Sequence, residues 1–369
     1  MSYPQNWKRA ASAFTLALSL TLLVPGSAVA QHYTRTDLAT DSSSVSQAPH
    51  VDPHLVNAWG LSRATGSPWW IADNGTGLST LYDSTGAPLS LVVTIPLPNG
   101  QSGTAAPTGT VFNSTTAFEA APGAKSIFLF STEDGTISGW NPGVNATMAV
   151  VKVDHSADGA IYKGLAIATA GGGPRLYATN FASGEVEIYD GNFKQIKRKG
   201  AFIDSKLPAH YAPFGIQNVG GNIVVTFARR SPGSKDEDHG PGLGYVDVFD
   251  LQGNLLLRLQ HSSALNAPWG IAQAPGDFGP FSHRLLIGNF GDGYIHAYNA
   301  LSGKFEGTML DPTGSWLRID GLWAISFAGN GASNGLATEL YFTAGPNDEN
   351  DGVFGKITAT AAEQRGNSE

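Results

Sequence analysis

One phrase recurs along this chain. It reads A-W-G-L-S at 58–62, P-F-G-I-Q at 213–217, P-W-G-I-A at 268–272 and L-W-A-I-S at 322–326. Aligning the small residue that follows the aromatic places Gly60, Gly215, Gly270 and Ala324 in one column. Two degenerate copies fall between them, T-G-T-V-F around Thr110 and K-G-L-A-I around Leu165. Six copies therefore return at a near-constant step of about 53 residues, and a repeat of that kind is the signature of a modular array. Few folds tolerate such a constraint.

Each copy continues in the same way. A second apolar run follows, such as I-F-L-F-S (127–131), R-L-Y-A-T-N (175–180) or L-L-I-G-N (285–289). A glycine turn then leads into a third run, such as E-V-E-I-Y-D (185–190) or Y-I-H-A-Y-N (294–299). Alternating β-branched and aromatic residues suit half-buried strands, and 46 glycines and 21 prolines supply the turns between them. A fourth strand such as L-L-L-R-L-Q closes the unit. Four antiparallel strands repeated six times predict an all-β, six-bladed β-propeller. The recurring phrase is then the innermost strand of each blade, where glycine lets the strands crowd together. The last unit lacks a fourth strand at the C-terminus. H-Y-T-R-T-D-L-A-T (32–40) precedes the first inner strand and is expected to complete that blade, so that the N-terminal strand closes the ring. Residues 31–358 are read as a single propeller domain and 359–369 as a polar tail.

The first thirty residues read differently. Lys8 and Arg9 precede an apolar run from Ala11 to Val24, and A-V-A at 28–30 fits a cleavage site. This predicts a signal peptide cleaved after Ala30 and a secreted or periplasmic protein without a membrane span after cleavage. The chain has no cysteine, so thiol chemistry and disulfide stapling are excluded. A net charge of −8 argues against nucleic acid as a partner. No nucleotide, haem or flavin signature is present, and a monomer is expected.

The phrase P-x-G-I-A resembles the inner strands of NHL-type and gluconolactonase-like six-bladed propellers. A second resemblance covers most of the chain. It rests on N-A-W-G-L (57–61), E-D-G-T-I-S-G-W-N-P (133–142), Y-K-G-L-A-I (162–167), A-P-F-G-I-Q-N (212–218), I-G-N-F-G-D-G (287–293) and Y-F-T-A-G-P-N-D-E (341–349). These segments are similar to an uncharacterised family of secreted bacterial propellers, many with a PEP-type C-terminal sorting signal. That signal is absent from this sequence. The resemblance implies the fold and export, and no reaction. The gluconolactonase-like resemblance further implies a divalent cation held in the central channel by carboxylates and amides.

Loops entering the inner strands and loops joining second to third strands share the face around the channel mouth, where such rings place their sites. Glu133, Asn180 and Asn289 each end an apolar second strand and form the candidate metal set. Hard oxygen donors of this type suit Ca²⁺ or another divalent ion. Asn57, Asn74, His210, Arg229, Asp320 and Asn347 are the candidate ligand-binding residues. The long segment 228–244, A-R-R-S-P-G-S-K-D-E-D-H-G-P-G-L-G, is expected to act as a lid over the mouth. G-A-S-N-G (331–335) fits the nucleophile-elbow pattern only by chance, because no helix follows it. N-D-E-N-D-G (347–352) begins like a calcium loop but lacks the terminal Glu.

Two functions fit these features. One is a binding or scaffold propeller recognising a small molecule, glycan or protein. The other is a metal-dependent lactonase or esterase, with a cation polarising a carbonyl and His54 or His210 as base.

Overall fold

The computed structural model describes residues 32–360 of the chain. The predicted signal peptide and the polar tail from 361 onward lie outside the described residues. Six sheets, antiparallel except for a short parallel pairing of His50–Val51 with Tyr33–Thr40 in the last, follow one another around a ring, and their innermost strands pack side by side about the centre. These inner strands are Ala58–Ser62, Pro107–Phe112, Tyr162–Ala170, Tyr211–Val219, Pro268–Gln273 and Leu322–Phe327. The sixth sheet is closed as the sequence predicts. Tyr33–Thr40 pairs antiparallel with Val353–Ala359, so the first described strand is the outer strand of the last blade. Among the described residues no helix is long and apolar enough to cross a membrane.

The repeat owes its regularity to a shared irregularity. Every inner strand carries a bulge against its neighbour, between Ala58 and Leu61 in blade one and between Leu322 and Ile325 in blade six. Blades two to five break between Pro107 and Thr110, Tyr162 and Gly164, Pro213 and Ile216, and Pro268 and Gly270. The small residue of the phrase sits at this bulge. The register corrects the alignment of the two degenerate copies by one residue. The structural equivalents of Gly60 are Gly109 and Gly164, rather than Thr110 and Leu165.

The correction has a steric cause. A Cβ on Gly60 would fall on the Thr108 carbonyl, one on Gly215 on the Trp269 carbonyl, and one on Gly270 on the Trp323 carbonyl. Each glycine thus faces the backbone of the next blade and admits its close approach. Ala324 is the exception, and its methyl joins the apolar cluster of Leu61 and Ile71 across the last blade junction. Hydroxyls stitch the same level. Thr108 Oγ1 donates to the Tyr162 carbonyl at 2.7 Å, Thr179 Oγ1 to that of Phe214 at 2.7 Å and Thr343 Oγ1 to that of Trp59 at 2.5 Å.

Blade three departs from the four-strand rule. Its sheet holds only Tyr162–Ala170, Gly173–Asn180 and Glu185–Asp190. The chain then turns back and pairs for a single bridge, Tyr189 with Gln195, before leaving the sheet. The turn motif G-A-S-N-G is structural. Asn334 is fully buried and its Nδ2 donates to the carbonyls of Thr65 at 3.0 Å and Ser67 at 2.9 Å, tying blade six to blade one.

Candidate functional site

The residues before the bulge glycine gather at the ring centre in five of the six blades, Thr108 instead turning its hydroxyl onto Ser131 and the Tyr162 carbonyl. In order these residues are Trp59, Thr108, Lys163, Phe214, Trp269 and Trp323. Four are aromatic, and they close the channel. Trp59 stacks on Trp323 with centroids 3.6 Å apart, and Phe290 stacks on the other face of Trp323 at 3.9 Å. Phe214 and Trp269 meet them edge-on. Buried aromatics of this size dominate local packing energy. The plug also needs its indole N–H groups satisfied. Trp59 and Trp323 both donate to Asn57 Oδ1, at 3.0 and 2.9 Å. Asn57 adopts φ 47°, a left-handed conformation that Asn tolerates better than most residues.

Lys163 takes an aromatic's place in this ring and is 1% exposed. Its Nζ donates to Glu133 at 2.6 Å and lies 3.8 Å from Glu237 and 3.9 Å from Asp236. Trp59, Phe181 and Phe214 surround the ammonium, with ring centroids 5.0, 5.6 and 5.9 Å away. Burial acts against its charge. Glu133 first, and then Glu237, outweigh that and hold the lysine above its ordinary pKa. Burial likewise opposes ionisation of Glu133, but Lys163 holds its carboxyl below the usual range. A polar chain runs outward from this pair. Asn74 Nδ2 donates to Glu133 at 3.2 Å, and Asn57 Nδ2 donates to Asn74 at 3.2 Å and to Glu349 at 2.6 Å. Burial, with Glu237 next, raises the pKa of Glu349.

Two loops build the roof. Glu237–Asp238 pairs with the end of the Asn222–Arg230 strand, Arg229 opposite Asp238 and Arg230 opposite Glu237. This fold-back carries Glu237, 3% exposed at its side chain, down onto Lys163. His239 follows, 3.5 Å from Glu237 and edge-on to Phe290. The second loop holds N-D-E-N-D-G. Asn347, Asp348 and Glu349 all have positive φ, at 57°, 52° and 65°. Three successive non-glycine residues in that region are costly, and the turn they form directs Glu349 to Asn57.

The sequence candidates divide between this centre and other places. Asn57, Asn74 and Glu133 meet there. Arg229 is half-exposed and pairs with Asp238 at 3.3 Å. Asp320 and Asn347 adjoin each other on the rim, the Asn347 N–H reaching Asp320 at 3.4 Å. His210 is exposed with φ 72°.

Asn180 and Asn289 do not share the position of Glu133. In the ladders they match Asp73 and Thr132, one residue earlier, and neighbouring strand residues face opposite sides of a sheet. Asn180 donates to Glu187 at 2.8 Å and accepts from the N–H groups of Ile161, Ala182 and Ser183. Asn289 donates to the Ala264 carbonyl at 2.7 Å and lies 3.1 Å from His296 Nε2. A divalent ion finds a poor donor set here. Glu133 is neutralised by Lys163, Asn180 is engaged at both ends, and only Asn289 Oδ1 lacks a partner. Among the described residues no group of three or more His, Cys, Asp or Glu is arranged to hold a metal.

His296 reports on the packing beside Asn289. Burial pushes its pKa down to about 4 from 6.5. Neutral imidazole is thus the native form. Its contribution to stability is complete above pH 6.5 and lost as pH falls towards 4. The full effect is on the order of 3 kcal/mol. Urea unfolding at pH 7 and pH 4.5 should show a smaller acid loss in His296→Gln than in the parent. Equal losses would place the acid sensitivity elsewhere.

Lys163 and Glu349 escape sequence reasoning. Lys163 becomes visible only when the third copy is registered on Gly164. The aromatic column then contains a single lysine, and a cation in an apolar column needs a buried partner.

No family model matches the sequence. The chain is 32% identical over 332 residues to the uncharacterized protein R648 of Acanthamoeba polyphaga mimivirus, and the match covers 86% of this chain and 78% of that protein. The sequence resemblance pointed to exported bacterial proteins, whereas this relative is viral. Among solved structures, a glucose dehydrogenase superposes with a TM-score of 0.52 at 13% identity, over 89% of this chain and 100% of its own. A streptogramin B lyase gives 0.51 at 10% identity, over 90% and 99%. Likeness at such identities is one of fold, which does not fix chemistry.

Proposed function

We propose that this chain, which belongs to the same family as the mimivirus protein R648, is an exported binding propeller that uses its channel face to recognise a small molecule, glycan or protein. The observation that carries this reading is the buried Lys163–Glu133 pair. A metal-dependent hydrolase needs a carboxylate free to hold its cation and an open position for water. Here the central carboxylate is already neutralised, and aromatic rings close the channel beneath it. Streptogramin B lyase and glucose dehydrogenase share the fold, but their named activities support no more than the capacity of such a ring to carry a site. The surface offered to a ligand is the roof built by 236–239 and 346–351, with Arg229, Asp320 and Asn347 on its rim.

The test is a screen of lactones and aryl esters with the purified protein, in added Ca²⁺ and in chelator, with thermal melting alongside. The binding reading expects no turnover above buffer and an unchanged melting temperature in both media. Turnover that disappears in chelator and in Glu133→Gln would replace it with the lactonase or esterase reading.

A further inference from the structure

The missing fourth strand of blade three leaves an unpaired sheet edge. Along Glu185–Asp190, alternate residues direct their backbone groups outward, away from Gly173–Asn180. Asp190 N–H donates to the Lys194 carbonyl at 2.9 Å, and the Ile188 carbonyl accepts from Ile196 N–H at 2.7 Å. Val186 is next on that side. Among the described residues no backbone bond reaches it there, because the chain leaves the sheet at Lys197. A groove of about 660 Å³ occupies the vacated place, bordered by Val186 and Ile188 on one side and by residues 195–203 on the other. Its floor continues to Ile203, 61% exposed, which also borders the exposed Leu255 and Leu256 of blade four.

The far wall of this groove is basic. Residues 194–206, K-Q-I-K-R-K-G-A-F-I-D-S-K, hold five of the 22 Lys and Arg residues in a chain of net charge −8. Lys197, Arg198 and Lys199 are exposed, line the groove and form no ion pair within 4 Å among the described residues. Asp204, the one acid of the stretch, is buried on Arg258. Asp158, Glu185 and Glu187 also line the groove, and Glu187 is buried and bonded to Asn180, Tyr162 and Tyr189.

We infer that this groove binds an extended acidic peptide of a protein partner, which adds to Glu185–Asp190 as the fourth strand of blade three. Strand addition supplies main-chain hydrogen bonds, and pockets beside the edge choose the side chains. The Val186 N–H and C=O take the peptide backbone. Val186 and Ile203 take its apolar side chains, and Lys197, Arg198 and Lys199 take its carboxylates. A polyanionic glycan would satisfy the cations but would leave the strand edge unpaired, and for that reason a peptide is the better fit. The site lies along the outermost strand of blade three, and its groove reaches the second-to-third loop of that blade at Asn180, Ser183 and Gly184.

The probe is a fluorescein-labelled octapeptide of alternating glutamate and valine, followed by anisotropy against the full chain. Its controls are a lysine–valine counterpart and a glutamate–valine peptide N-methylated at alternate residues. The expected result is saturable binding of the acidic peptide, weakened at least tenfold by N-methylation and by the triple variant K197E/R198E/K199E, with no binding of the lysine peptide. Val186→Pro, on an N–H that makes no backbone bond among the described residues, should weaken binding to a similar degree while still unfolding in one cooperative step, at a lower midpoint because Val186 packs against Ile188 and Phe202. No binding of the acidic peptide overturns the inference. So does binding that ignores N-methylation and is competed by a sulfated oligosaccharide, which would make the basic run a polyanion site.

Discussion

Lys163→Met is expected to destabilise the folded chain by about 3–5 kcal/mol, the cost of stranding buried carboxylates without their cation. Methionine matches the lysine stem in length, so little of the loss would come from packing. Glu133 and Glu237 would remain in a pocket walled by Trp59, Phe181 and Phe214, with no ammonium to balance them. Adding Glu133→Gln should recover a large part of the loss, because a buried pair replaced at both ends is often nearly neutral. Since Lys163 is screened from solvent, the effect should persist at high salt, unlike that of a surface pair. Urea denaturation of the parent, both single variants and the double variant would measure the coupling. A loss below about 1 kcal/mol for Lys163→Met, well short of the cost of breaking a buried pair, would mean that water reaches the cluster. Glu133 would then be a carboxylate free to take a cation from solvent.

The repeat disclosed the architecture because the bulge imposes the same steric demand six times. Glycine before an aliphatic, following an aromatic, is what that bulge requires, and it can be read without coordinates. The closing of blade six was legible for a related reason. Thirty-two to forty is a strand with no partner near it in sequence, and Val353–Ala359 needs one. The site was harder to read. Glu133, Asn180 and Asn289 look equivalent in sequence because each follows an apolar run. Strand side chains alternate, however, and a register error of one residue reverses a side chain's direction. That error moved Gly164 into the aromatic column and hid Lys163. Glu349 was hidden by a turn whose three left-handed residues no propensity rule would assign to Asn-Asp-Glu. The absent fourth strand of blade three was hidden too, since Q-I-K-R-K-G-A-F-I-D carries enough apolar residues to pass for one.

A chain lacking residues 1–40, compared with one lacking only 1–31, should lose most of its stability. The nine residues between them supply the strand that joins both ends of the ring. Seven residue pairs link Tyr33–Thr40 to Val353–Ala359, with a bulge between Asp37 and Ala39. Tyr33 is fully buried in the cluster of Phe278, Phe281 and Ile357, and its hydroxyl donates to the Phe278 carbonyl at 3.1 Å. Leu38 and Ala39 are buried in the cluster at the junction of blades six and one. Burying a tyrosine or leucine side chain contributes about 1.5–3 kcal/mol each, and each net backbone bond about 0.5–1.5 kcal/mol. For two such side chains and the backbone bonds of seven residue pairs the sum is roughly 6–16 kcal/mol, comparable with the whole net stability of a typical domain. The loss would also be directional. Without the strand, Val353–Ala359 becomes an exposed apolar edge, and such edges pair with other chains. The shorter chain should therefore unfold at much lower urea concentration and aggregate on refolding, whereas Tyr33→Ala alone should show a partial loss and stay monomeric. If the two chains melted alike, the outer strand of blade six would be an ornament of the ring, and the stability of this cysteine-free propeller would have to come from the aromatic plug at its centre.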